Sequence, residues 1–113
     1  MSGRLFLGHP LPSGRFQVMI QDGGRYEDLE PRCDLIDFCA VGFSWGQDIH
    51  GGNILSVSLL ASVLDVGRAI AIHSAFRETM FDFMPPYLPW CFDENVVAAI
   101  ARSIEQRATG MAA

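Results

Sequence analysis

Gly42-Phe43-Ser44-Trp45-Gly46-Gln47-Asp48-Ile49-His50-Gly51-Gly52-Asn53, running into the apolar segment Ile54 to Leu64, is the stretch that divides this chain. The residues before it read as short strands, and those after it read as helices. Gly51-Gly52 reads as a sharp turn and Asn53 as the N-cap of the next helix, because a side-chain amide oxygen can accept from the free N–H groups of a first turn. Ile54, Leu55, Val57, Leu59, Leu60, Val63 and Leu64 leave that helix almost no polar side, which predicts a central buried helix. Ser58, Ser62 and Asp65 form its one polar stripe, expected where another element or water comes close. Phe43 and Trp45 share a face of an extended segment, so Phe43, Trp45, Gly46, Gly51 and Gly52 are expected to be structural, with Trp45 as the packing pin.

Upstream, Phe16, Val18 and Ile20 alternate with polar neighbours, which is the period of a half-buried strand. Asp22-Gly23-Gly24 is a turn, and Pro31 closes a third short strand over 25–29. Downstream, a second helix is predicted over 68–84, with Ala69, Ile72, Phe76, Met80 and Phe83 inward and Pro85-Pro86 stopping it. Tyr87 to Phe92 reads as a short strand or an aromatic plug. Asp93 is the expected N-cap of a last helix, 94–106. The expected fold is α+β: a small antiparallel β-meander followed by three helices, the first buried. One domain over 1–107 and a frayed tail over 108–113 are expected from the length of 113 residues.

Composition narrows the function. The net charge is −5 and all eight cations are Arg. Phosphate backbones are bound by dense basic surfaces, so direct nucleic-acid binding is disfavoured. Asp22, Glu27, Asp28, Glu30, Asp34 and Asp37 stand against Arg25 and Arg32, a local charge of −4 that suits a basic protein partner. The longest apolar run is too short and too interrupted by serines for a membrane span, which needs roughly 20 apolar residues. Met1-Ser2-Gly3-Arg4 has no apolar segment behind its charge, so the cytoplasm is the expected location, and Cys33, Cys39 and Cys91 are expected as reduced, buried thiols.

The motifs that could carry chemistry are weak. Gly42-Phe43-Ser44-Trp45-Gly46 is a literal G-x-S-x-G, but a nucleophile elbow opens directly into a helix on a large parallel sheet, which this pattern cannot build. A small enzyme with Ser44, Asp48 or His50 in a pocket is the alternative class. His9, His50, His73 and the cysteines lack metal-ligand spacing, and no metal or cofactor is expected. The glycines before Asn53 could cradle an anion at a helix start, but there is no accompanying Lys. Residues 81–92 hold five aromatics and three prolines, more apolar surface than a connection normally hides, so Tyr87 and Trp90 are candidate interface anchors. A structural homodimer joined through Ser58 and Ser62 is a third class.

Phe43-x-Trp45-Gly46, Gly51-Gly52, the Leu/Ala-rich helix, Phe76 and Trp90 together resemble a family of small bacterial, plasmid and phage proteins with a Phe-x-Trp-Gly…Gly-Gly signature. Gln47-Asp48-Ile49-His50 stands where that family has a tighter glycine turn. The resemblance brings no site residues. It implies an accessory protein of mobile elements, a group that often binds host or defence machinery, including CRISPR effector complexes. The expected function is therefore a non-enzymatic protein that binds a protein partner with a basic surface through Glu27, Asp28, Glu30, Asp34 and Asp37, anchored by Tyr87 and Trp90. Its sharpest form is an inhibitor of a bacterial antiviral nucleoprotein complex.

Overall fold

The computed structural model describes residues 3–37, 42–46 and 48–109. In chain order the elements are β1 (Leu5–Pro10), β2 (Phe16–Asp22), β3 (Arg25–Asp28), α1 (Ile49–Val63), α2 (Val66–Met80), β4 (Trp90–Asp93) and α3 (Glu94–Ala108). The fold is α+β, as the pattern of periods predicts. The meander has an addition: β4 returns from between α2 and α3 to pair with β1, giving an antiparallel sheet in the order β3-β2-β1-β4.

Register sorts the side chains. Phe6 stands opposite Ile20 and Phe92, and Gly8 opposite Val18 and Trp90. These residues share the face that the helices cover, and Phe6, Val18, Ile20 and Trp90 are buried there. Leu5, Leu7, Met19 and Cys91 lie on the other face, by the alternation of a pleated strand. Arg4 fastens the two ends of this layer: its Nε pairs with Glu94 Oε1 at 2.7 Å and its Nη2 donates to the Ser62 carbonyl at 2.7 Å. The Arg4 guanidinium and backbone N–H together hold the Glu94 carboxyl below its ordinary range.

The buried helix is present, and its whole central run from Ile54 to Leu60 is removed from water. It begins earlier than its sequence suggests. Asp48, not Asn53, is the N-cap, accepting from the Gly51 N–H, so Gly51 and Gly52 lie in the first turns of α1 and not in a turn before it. His50 is likewise helical. Long-range neighbours explain the glycines: a Cβ on Gly51 would stand 1.9 Å from Ser44 Oγ. The Gly51→Ala chain is expected to lose about 2 kcal/mol, seen as a lower thermal midpoint. Adding Ser44→Gly should recover part of that loss, and no recovery would show that this contact is not the cause.

The other boundaries shift for local reasons. Asp65 caps α2, which therefore starts at Val66 and not at Arg68. α2 stops at Met80, because the Phe81 and Asp82 N–H groups both donate to the Arg77 carbonyl and turn the chain. Pro85 further disfavours helical backbone at Met84. Phe83 therefore does not continue the inward stripe; it is 93% exposed. Asp93 caps α3 as expected, and α3 runs on to Ala108, inside the stretch predicted as a frayed tail, whose residues 110–113 lie outside the described residues.

The thiols differ from expectation. Cys33 is disulfide-bonded and Cys91 is free but exposed. Cys39 lies outside the described residues.

Candidate functional site

The sheet order decides how the predicted surface is arranged. Glu27 and Asp28 are on β3, an edge strand exposed throughout, and Glu30 lies just beyond its end. All three border one groove of about 250 Å³ with Arg32, Ser58 and Ser62. Tyr87 precedes β4, which forms the opposite edge, about 14 Å away at three strand spacings. The acids and the aromatics are thus two surfaces rather than one.

Trp90 is not a surface anchor. It is 8% exposed, its ring packed against those of Trp45 at 5.3 Å, Phe81 at 5.4 Å and Phe92 at 5.2 Å. Tyr87 is 75% exposed. The exposed ring beside it is Phe83, which the helical stripe concealed. Asp34 forms a two-pronged pair with Arg32, both bonds 3.0 Å, and the guanidinium holds its carboxyl below the usual range. Asp37 lies apart, in a cavity with His50, Asn53 and His73.

Ion pairing shows which acids remain available. Arg4 is taken by Glu94, Arg32 by Asp34, Arg68 by Glu105, and Arg77 by Asp82 and Glu78. None of these partners is Asp22, Glu27, Asp28 or Glu30. Among the described residues, Asp22, Glu27, Asp28 and Glu30 therefore make no ion pair, with Arg25 on the same hairpin and Arg32, held by Asp34, bordering their groove.

The serine-hydrolase residues are only partly brought together. Ser44 is buried and its Oγ donates to Asp48 Oδ2 at 2.8 Å. Both border a cavity of about 380 Å³ whose other walls include Arg15 and Phe16. His50 belongs to the separate cavity with His73, so the imidazole a Ser–His relay would need is not at the hydroxyl. The Ser44–Asp48 bond ties the incoming loop to the start of α1. Phe43, Trp45 and Gly46 belong to the same tie: Trp45 is 1% exposed and its ring meets Phe16 at 4.5 Å, and the Gly46 N–H donates to the Phe81 carbonyl. His73 is half-buried and its Nδ1 donates to the Ile70 carbonyl at 2.7 Å. Among the described residues, no three His, Cys, Asp or Glu side chains are grouped as a metal ion would require.

The serine stripe marks a close approach within the chain: Ser58 is 1% exposed and accepts from the Arg32 N–H at 3.0 Å. No described helix is long and apolar enough to cross a membrane. Set beside known proteins, the chain matches no family model, no curated protein and no solved structure.

Proposed function

We propose that this chain is a non-enzymatic accessory protein that binds a protein partner bearing a basic surface. The observation that supports this reading is the β3 edge. Its carboxylates are exposed, and Arg4, Arg68 and Arg77 pair with acids away from it, so the edge keeps a net negative field. A field of that sign attracts Arg- and Lys-rich surfaces and speeds encounter with them. Surfaces of that kind hold RNA or DNA, and an acidic edge strand laid on one would displace the nucleic acid. An inhibitor of a bacterial antiviral nucleoprotein complex, of CRISPR type, is the sharpest form of the proposal. The resemblance of Phe43-x-Trp45-Gly46 to proteins of mobile elements supports that setting. The cytoplasm is the corresponding location, and there the Cys33 disulfide would be open to reduction.

The test is capture from a bacterial lysate by the full chain and by its Glu27→Arg, Asp28→Arg, Glu30→Arg variant. A basic protein retained by the first and lost by the second is the expected result, with retention weakening as salt rises. Equal capture by both chains would remove the electrostatic reading.

A further inference from the structure

β3 ends the sheet, with β2 on one side and no strand on the other among the described residues. The register decides which backbone groups that open side carries. Leu29 N–H donates to the Val18 carbonyl at 2.9 Å, so Leu29 turns its backbone polar groups toward β2. Antiparallel bonding alternates along a strand, so Glu27, opposite Ile20, and Arg25, opposite Asp22, turn toward β2 as well. Tyr26 and Asp28 therefore turn away from it. Each holds an N–H and a C=O toward solvent, with no hydrogen-bond partner among the described residues. An open row of this kind is what an added strand bonds to.

The side chains select the strand. Glu27 and Leu29 stand opposite Ile20 and Val18, so they lie on the face that the helices cover. The groove of about 250 Å³ between β3 and α1 is lined there by Ile20 and Leu29, by Glu27 and Glu30, and by Ser62, whose buried Oγ has no partner. Arg32 borders it too, with its charge held by Asp34. An added strand sets one side chain directly opposite Glu27, on the face of this groove. A Lys or Arg fits that place, its alkyl stem along the apolar wall and its charge at the carboxylates. Asp28, on the other face, favours a cation at the next position, and Arg25 disfavours one opposite itself. The β3 strand of a second copy does not fit, since pairing about Glu27 would set like carboxylates against each other.

We propose that the β3 edge receives an extended basic segment of the partner as a fifth strand, its backbone bonded to Tyr26 and Asp28 and a Lys or Arg set opposite Glu27. This rests on the basic partner proposed above and adds the form in which that partner binds.

The test is titration of the full chain with acetyl-Thr-Val-Arg-Arg-Val-Thr-amide, followed by amide NMR. The Tyr26 and Asp28 amide signals are expected to shift and their hydrogen exchange to slow. The same peptide methylated at alternate backbone nitrogens keeps its charge and should bind roughly tenfold more weakly. Tyr26→Pro removes one outward N–H and leaves the β2 ladder and every carboxylate in place, because proline is tolerated where its nitrogen faces solvent. It should weaken binding about tenfold, while Tyr26→Ala, which keeps the N–H, retains most of the affinity. Glu27→Arg should weaken it as well. No binding at millimolar peptide overturns the proposal, as does unchanged binding by Glu27→Arg. Equal binding of the two peptides, or of the Pro and Ala variants, also overturns it. Lysate capture lost on acid reversal but kept in Tyr26→Pro would show a basic partner that binds as a surface and not as a strand. Capture indifferent to the acids, with the peptide still seated at Tyr26 and Asp28, would remove the earlier reading and not this site.

Discussion

Replacing Arg77 by Met should destabilise the fold by about 3 kcal/mol and lower the thermal midpoint by about 15 °C. Among the described residues, Arg77 is the one buried charged side chain, at 8% exposed. Its guanidinium reaches in three directions: Nη1 donates to Asn53 Oδ1 at 2.7 Å, Nε to Asp82 Oδ1 at 3.1 Å, and Nη2 to Glu78 Oε2 at 3.4 Å. Its Cγ and Cδ lie over Gly52, 3.0 Å from where a Cβ would be. One side chain therefore joins the start of α1, the end of α2 and the base of the aromatic loop. Its charge also suits the last turn of α2, where the helix dipole is negative. Met fills the volume of the alkyl stem but leaves Asn53 and Asp82 without their donor. Asp82 is 25% exposed and can rehydrate, which places the cost at the lower end for a broken buried pair. Arg77→Lys should recover less than half, because an ammonium cannot offer the planar fork. A midpoint within a few degrees of wild type in the Met variant would show that this network is dispensable.

Gly8→Ala should have an effect of the same size by a different route. Gly8 faces the Trp90 indole across the β1–β4 ladder, and a Cβ there would meet Trp90 Cε2 at 2.2 Å and Nε1 at 2.5 Å. The indole cannot retreat, since Trp45, Phe81 and Phe92 surround it. Either the ladder opens or Trp90 leaves the core. The expected cost is about 3 kcal/mol, the upper end for overpacking, with Trp emission moving to longer wavelength as the ring meets water. Gly24→Ala is the control, because nothing lies within 4 Å of its added methyl. If both variants melt alike, steric contact with Trp90 is not what requires glycine at position 8.

The parts of this fold that were legible in the sequence are those set by neighbours a few residues away. The alternation of Phe16, Val18 and Ile20 and the Gly23-Gly24 turn place β2 and β3 correctly, and Asp93 marks the start of α3. The misreadings share one cause: a distant residue decides them. Gly51-Gly52 looks like a turn until Ser44 and Arg77 are seen lying against it inside a helix. A distant edge also decides between the two forms expected for Tyr87 to Phe92, short strand or aromatic plug: Trp90–Asp93 is a strand because β1 offers it a partner. Phe83 fits a helical stripe by spacing, yet the helix has ended before it, through the double hydrogen bond to the Arg77 carbonyl. In the candidate site, exposure of Glu27, Asp28 and Glu30 is a consequence of their charge. Which acids keep that charge uncompensated is not, because the competing pairs Arg4–Glu94 and Arg68–Glu105 span most of the helical half of the chain.

The strand order has a consequence for how the chain is made. β1 is an inner strand of the finished sheet, but its second neighbour, β4, is encoded more than half the chain later. While a ribosome is still adding the helices, the early hairpin can close with β2, yet the far side of β1 remains an open edge of unpaired amides and carbonyls. An edge of that kind templates pairing with other chains. Closing the long β1–β4 loop costs more entropy than closing the β1–β2 hairpin, so it comes after the local turns. Trp90 settling against Gly8, with Arg4 clasping Glu94 beside it, is then the step that takes β1 out of reach of neighbouring nascent chains.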